Sequence, residues 1–310
     1  MRLPARLALF LLSLPLAACI GGNFDILGNS DRYAEDFSYD FKLPPGGRLE
    51  VESFNGAVEV IGWDNDTVQV RGNKHASRQE VLKALAIDAK GSPTEVRLRA
   101  ISPSPNCNCG VTFTVKVPRK TKLDNVTTSN ASLRIENIEG RAHARTSNGG
   151  IRLYDLNGDV EATTSNGGIE AQKVTGQAIL RTSNGRIRGD NLHGGLEAAT
   201  TNSAIDVTVS DAEPAQPLIL SSSNGGITLN LLTWKGNEIR ATTSNGSVNL
   251  LLPSGINARV RASTSNGSIT TDYEVTSSHV SKTSLDGRIG QGGAPISALT
   301  SNGNVRIAKR

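Results

Sequence analysis

One four-residue phrase, Thr-Ser-Asn-Gly, recurs from Thr128 to the C-terminus and constrains this fold more than any other feature. Its third position falls at Asn130, Asn148, Asn166, Asn184, Asn202, Asn224, Asn245, Asn266, Asp286 and Asn302, at spacings of 18, 18, 18, 18, 22, 21, 21, 20 and 16 residues. Self-similarity at a short, fixed period is the mark of a solenoid, in which each repeat buries its apolar face only by stacking on its neighbours. The prediction is an all-β, single-stranded β-solenoid (β-helix) with rungs of 18 to 22 residues.

Aligning rungs on the Asn shows how each is built. Ala142/Ala144, Val160/Ala162, Ala178/Leu180 and Leu196/Ala198 precede it and alternate with Arg, His, Glu and other outward residues, the period of a strand with one buried face. After the turn an apolar residue recurs three positions on (Leu133, Ile151, Ile169, Ile187, Ile205) and another eight on (Ile138, Leu156, Val174, Leu192). Two or three short strands per rung satisfy this pattern, in a two-sided or a three-sided cross-section. Asn and Gly both tolerate a left-handed corner, so the phrase predicts a corner, with the stacked amides of Asn130 to Asn266 and Asn302 forming a ladder along the rod. Ser-Asn-Gly also suggests a ligand or glycosylation site, but its repetition at structural spacing favours the scaffold.

Four residues after the Asn stand Arg134, Arg152, Glu170, Arg188 and Asp206. Glu170 and Asp206, two rungs or ~9.6 Å apart at the usual strand spacing, have a separation near that of inverting glycosidase carboxylates. The alternative is a cross-strand salt ladder with Arg188 between the two acids, which we favour. From residue 126 onward the only aromatics are Tyr154, Trp234 and Tyr273, which argues against a long sugar-binding groove. No catalytic constellation, cofactor motif or metal-ligand set is legible.

Beyond Pro214 the rungs lengthen and loops on one side are expected, with Trp234 and Leu250–Leu252 as a candidate partner-facing patch, though core packing suits them better. Gly290 to Ala294 reads as a break. The last copy, Thr300 to Ala308, runs into Lys309-Arg310 and is expected to end the stack with charge, protecting its edge.

Residues 31–125 read as an N-terminal β region continuous with the regular solenoid of residues 126–310. Leu49 and Val51, then Asn55-Gly56, then Val58 and Val60 form an early copy of the repeat. Ser77 and Glu80 form a capping-box pattern ahead of Val81, Leu82 and Leu85, predicting one short helix to about Ala86 that covers the open end of the stack. Strands are expected at Ala86–Ala89, Val96–Ile101 and Val111–Val117. Cys107-Asn108-Cys109, at a Pro-rich turn, allows three readings: a disulfide staple, a redox-active pair or half a metal site.

Residues 1–18 carry Arg2 and Arg6, an apolar run and then Ala17-Ala18, the pattern of a signal peptide too short to span a bilayer. Leu16-Ala17-Ala18-Cys19 resembles a bacterial lipobox, which implies cleavage and lipidation at Cys19, and Ile20 after it resembles outer-membrane rather than inner-membrane sorting. Residues 19–30 then form a lipidated tether to the bacterial envelope. Without Arg2 and Arg6 the chain has 31 Lys and Arg against 29 Asp and Glu, and no basic cluster of the kind that marks nucleic-acid binding.

The run Val111-Thr-Phe-Thr-Val-Lys-Val-Pro118, Leu123-Asp-Asn-Val126, the Ser-Asn-Gly rungs and the early Leu49…Trp63 copy together resemble the bacterial putative-adhesin family, β-helical proteins. The resemblance covers residues 40 to 308 and implies no catalytic residues. Taken with the lipobox at Cys19, the expectation is a non-enzymatic, lipid-anchored structural and binding (adhesin-like) module of the envelope, with a membrane and an envelope protein or surface ligand as partners. An envelope-stress or signalling component docking a protein along one sheet is the alternative, and a β-helical polysaccharide lyase or hydrolase the remaining one.

Overall fold

Period-2 alternation turns each rung into strands, and because neighbouring rungs bury the same positions, those strands line up in parallel. The computed structural model describes residues 32–214 and 216–310; the signal segment, Cys19 and the tether lie outside the described residues.

The N-terminal part contains β1 (Tyr33–Lys42), β2 (Arg48–Glu52), β3 (Val58–Trp63), β4 (Thr67–Ala76), helix α1 (Gln79–Ala84), β5 (Ala86–Gly91), β6 (Glu95–Ile101), β7 (Cys109–Pro118) and β8 (Lys122–Thr127). The regular rungs follow as β9 (Leu133–Ile138), β10 (Ala142–Arg145), β11 (Ile151–Asn157), β12 (Val160–Thr163), β13 (Ile169–Thr175), β14 (Ala178–Arg181), β15 (Ile187–His193), β16 (Leu196–Ala199) and β17 (Ile205–Asp211). The longer rungs supply β18 (Leu218–Ser221), β19 (Ile227–Leu231), β20 (Ile239–Thr242) and β21 (Val248–Leu252). The C-terminal part holds β22 (Ala258–Ser263), β23 (Ile269–Thr271), β24 (Val275–Val280), β25 (Ser284–Ile289), β26 (Ala294–Leu299) and β27 (Val305–Lys309).

Two sheets result, so the cross-section is two-sided. Sheet one has 13 strands in the order β1-β4-β7-β3-β9-β11-β13-β15-β17-β19-β21-β27-β23; sheet two has 14, in the order β24-β25-β22-β26-β20-β18-β16-β14-β12-β10-β8-β2-β6-β5. At strand spacing, thirteen strands extend ~58 Å. Inward Leu133, Ile135 and Ile138 and their equivalents on sheet one pack over inward Ala142 and Ala144 and their equivalents on sheet two, in one buried cluster from Leu43 to Ile307.

Antiparallel strands close both sheets at the N-terminal end and sheet two at the C-terminal end. At the N-terminal end β1 pairs with β4, β4 with β7, and β5 with β6, all antiparallel. Strand β1, which alternates Phe37, Tyr39 and Phe41 with Ser38 and Asp40, is an element that the sequence reading passed over. Phe37 packs edge-on against Phe113 with ring centroids 5.5 Å apart. Helix α1 packs against β1 and β4, burying Leu82. Its N-cap is Arg78, with no side-chain capping bond, so the Ser77/Glu80 capping box does not form. The Ser77 amide instead donates to Asn108 O at 3.0 Å, keeping the chain extended one residue further.

The C-terminal end departs most from the linear reading. Strands β26 and β27 insert between β20/β21 and β22/β23. The last rung in sequence is therefore interior, and Lys309-Arg310 does not end the stack. Asp286 is not a corner: it lies within β25, antiparallel to both β22 and β24. A hairpin cannot continue a parallel stack, so the chain turns back and fills the slot beside β20. Gly290, Gly292 and Gly293, all with positive φ, form the turn into β26.

Candidate functional site

Each Thr-Ser-Asn-Gly corner carries the chain from sheet two to sheet one, and its four residues do different work. The Thr points inward: Thr164 Oγ1 donates to Gly149 O at 2.9 Å, Thr182 to Gly167 O at 2.9 Å and Thr243 to Gly225 O at 2.8 Å. The hydroxyls thus bond the backbone one rung away rather than forming a ladder of their own. The Asn points outward, and each Nδ2 donates to the Oδ1 of the preceding rung. Asn130 donates to Asn55, Asn148 to Asn130, Asn166 to Asn148, Asn184 to Asn166 and Asn202 to Asn184, at 2.5 to 2.8 Å. Asn224, Asn245, Asn302 and Asn266 continue the series in that spatial order.

The reason for the corner glycine differs from the sequence expectation. Neither the corner Asn residues nor the glycines of the regular rungs are left-handed; among the corner glycines only Gly56 is. A Cβ on Gly149, Gly167 or Gly185 would lie within 1.9 Å of a carbonyl oxygen of the adjacent rung. Close stacking, not φ, excludes a side chain there. The left-handed positions lie elsewhere: Asn137, Asp155, Lys173 and Asn191 sit within β9, β11, β13 and β15, and Gly158, Gly176 and Gly194 stand at the crossing from sheet one to sheet two.

The ladder ends at Asn55, whose Nδ2 donates to Cys109 O at 3.0 Å. Cys107 and Cys109 form a disulfide at the corner between β6 and β7, and Ser102 Oγ lies 3.1 Å from Cys107 Sγ. Among the described residues no group of three or more His, Cys, Asp or Glu is placed to hold a metal. Leu250 and Leu252 are buried and Trp234 packs half-buried against the core, so this stretch offers no exposed patch.

The outward row of sheet one brings the charged residues together in register: Glu59, Arg134, Arg152, Glu170, Arg188 and Asp206 follow one another across β3, β9, β11, β13, β15 and β17. Glu170 and Asp206 are therefore two rungs apart, with Arg188 between. Their ion pairs lie elsewhere, however. Glu170 faces Arg152 loosely at 3.9 Å, and Asp206 pairs with Arg186 at 3.3 Å. Among the described residues no carboxylate pairs with Arg188, so the expected ladder through it does not form. A general acid requires a desolvated carboxyl held protonated; here both carboxylates are open to solvent, with side chains 45 % and 43 % exposed.

An open depression of about 520 Å³ lies beside this row, lined by Gly150, Arg152, Gly168, Glu170, Arg186 and Arg188 among others. A smaller one of about 180 Å³ lies on the other side of Glu170, toward Gln172 and Asp190. The sequence reading missed Arg186. Its signal was available: Ser132, Gly150, Gly168 and Arg186 all stand two residues after the corner Asn, and only the last has a long side chain. Tyr154, the exposed aromatic on this face, accepts a contact from Lys173, whose Nζ lies 3.0 Å from its hydroxyl and 5.1 Å from its ring centroid.

A family model described as Toastrack DUF4097 matches residues 48–308. The crystal structure of a putative cell adhesion protein from Clostridium sporogenes aligns with 89% of this chain and 100% of its own chain, at 10% identity and a TM-score of 0.23. No curated protein matches significantly in sequence.

Proposed function

The chain belongs to the Toastrack DUF4097 family, and we propose that it works without catalysis, as a structural and binding module of the bacterial envelope held to a membrane through lipid on Cys19. The observation that carries this reading is the open outer face of sheet one. Its charged side chains repeat at rung spacing on a backbone fixed by parallel pairing and by the Asn ladder, and the depressions beside them are shallow and open rather than enclosing. Such a face suits contact with a large partner better than turnover of a small substrate. The signal-like residues 1–18 and the Leu-Ala-Ala-Cys19 segment support membrane anchoring, with Ile20 favouring the outer membrane. Among the described residues no helix is long and apolar enough to cross a membrane.

Two measurements test the proposal. Labelling with a radioactive fatty acid is expected to mark the wild-type chain and not Cys19→Ser. Cross-linking the lipidated protein in its native envelope, read by mass spectrometry, is expected to recover a reproducible protein or surface-polymer partner. An envelope-stress role would appear as a single regulatory protein in that recovery. Turnover of an envelope polysaccharide that Glu170→Ala or Asp206→Ala abolishes would sink the non-catalytic reading.

A further inference from the structure

We propose that the depression over Gly150 and Gly168 binds a phosphate monoester, gripped by Arg152, Arg186 and Arg188. The inference rests on the reading of this chain as a binding module and names the chemistry its sheet-one face selects. Arg188 in β15 and Arg186, the residue just before that strand, flank the buried Ile187 and are both exposed, ~6.6 Å apart along the chain. Arg152 stands two rungs away in register with Arg188, ~9.6 Å across. Between them Gly150 and Gly168 present only backbone. The floor is therefore bare while guanidinium groups border it on two sides.

Glu170 borders this space, between Arg152 and Arg188 in register. Glu170 Oε1 accepts a hydrogen bond from Gln172 Nε2 at 3.1 Å, which turns its carboxylate along β13 away from Gly168. Asp206 is held by Arg186 at 3.3 Å. Arg188 is left unmatched, whereas on sheet two Arg181 sits between Glu161 at 3.6 Å and Glu197 at 2.6 Å. Three arginines against Glu170 and the Asp206 held by Arg186 leave a net charge of one positive, on the unmatched Arg188. A monoester phosphate, with three acceptor oxygens, offers an acceptor to each of the three planar guanidinium forks. A carboxylate, with two oxygens, does not. The site is open on its outer side, so the phosphate can belong to a larger molecule, either a soluble sugar phosphate or a lipid headgroup.

The test uses the full mature-length chain carrying Cys19→Ser, so that no acyl chain anchors it, at low ionic strength, with calorimetric titration of inorganic phosphate, a sugar 1-phosphate and acetate, and flotation with phosphatidylcholine vesicles with and without phosphatidic acid. Arg188→Ala removes a side chain with no ion-pair partner, so folding is expected to be unchanged, as circular dichroism would verify. Arg306→Ala, in the same row outside the depression, is the control. Saturable binding of the soluble phosphates that weakens at least tenfold in Arg188→Ala and less than twofold in Arg306→Ala supports the proposal with a soluble ligand. The same pattern confined to phosphatidic acid vesicles supports it with a lipid ligand. The absence of saturable binding to any of these probes, equal binding of acetate, or equal loss in both variants overturns it. If none of the phosphate probes binds but cross-linking in the native envelope still recovers a partner, the phosphate site fails while the binding-module reading stands.

Discussion

Asn302 stacks directly on Asn245, 57 residues earlier in the chain, its Nδ2 donating to Asn245 Oδ1 at 2.8 Å. Asn266, which precedes Asn302 in sequence, lies beyond it and donates to it at 2.8 Å. The C-terminal rung is thus a wedge set into both sheets. Truncation after Gly293 removes an interior strand from each sheet and leaves β22 and β23 with no parallel neighbour. Limited proteolysis is expected to cleave residues 258–289 of the truncated chain rapidly and to spare them in the full chain; equal resistance would contradict the insertion.

Two adjacent glycines at one corner should respond in opposite ways. A Cβ on Gly225 would lie 1.8 Å from Ser203 O, whereas one on Gly226 meets nothing closer than 3.4 Å. Gly225→Ala is expected to cost about 1–3 kcal/mol by forcing the rungs apart, and Gly226→Ala to stay within about 0.5 kcal/mol of wild type. Urea unfolding of the two variants decides it.

Interior and terminal members of the amide ladder are not equivalent. Asn184 both donates to Asn166 and accepts from Asn202, whereas Asn266 only donates, to Asn302. With each exposed bond contributing about 0.5–1.5 kcal/mol, Asn184→Ala should destabilise about twice as much as Asn266→Ala in denaturant titrations. Equal losses would mean that the amides stack without energetic coupling.

Tyr273 gives the C-terminal end a dependence on alkaline pH. Its hydroxyl proton is shared between the carbonyls of Leu252 and Pro253, both at 2.8 Å, and Lys309 Nζ lies 5.3 Å from its ring centroid. Burial, and then the charge of Asp272, push its pKa up to about 12 from the ordinary value of 10.0. The folded chain therefore favours the neutral phenol. The stability this contributes is full below pH 10.0 and is lost as pH rises toward about 12. The difference in unfolding free energy between wild type and Tyr273→Phe is expected to shrink between those limits. A constant difference across them would refute this account.

Much of this architecture is legible in the repeat. Alternation before and after each Asn places the strands, because only that phase buries Ala142, Ala144, Leu133 and Ile135 together. The two-sheet cross-section does not follow from the spacing, because an 18-residue turn suits either form; the left-handed residues Asn137, Asp155, Lys173 and Asn191, which lie within the sheet-one strands, share no residue type that would announce them. The charged row of the candidate site follows from the same spacing. Its pairing does not, since Arg152 and Arg186 reach the carboxylates assigned to Arg188 through side-chain directions that spacing leaves undetermined.

By itself the sequence determined which residues face inward, because burial of one face at a fixed period admits one register per rung. Tertiary structure alone decided the order in which rungs stack. Parallel neighbours are matched by hydrogen-bond edges and apolar faces, which every Thr-Ser-Asn-Gly copy offers equally, so sequence order need not be spatial order. Where a hairpin such as β24–β25 interrupts the parallel stack, the next copy takes whichever open slot fits, and in this protein that slot lies between Asn245 and Asn266.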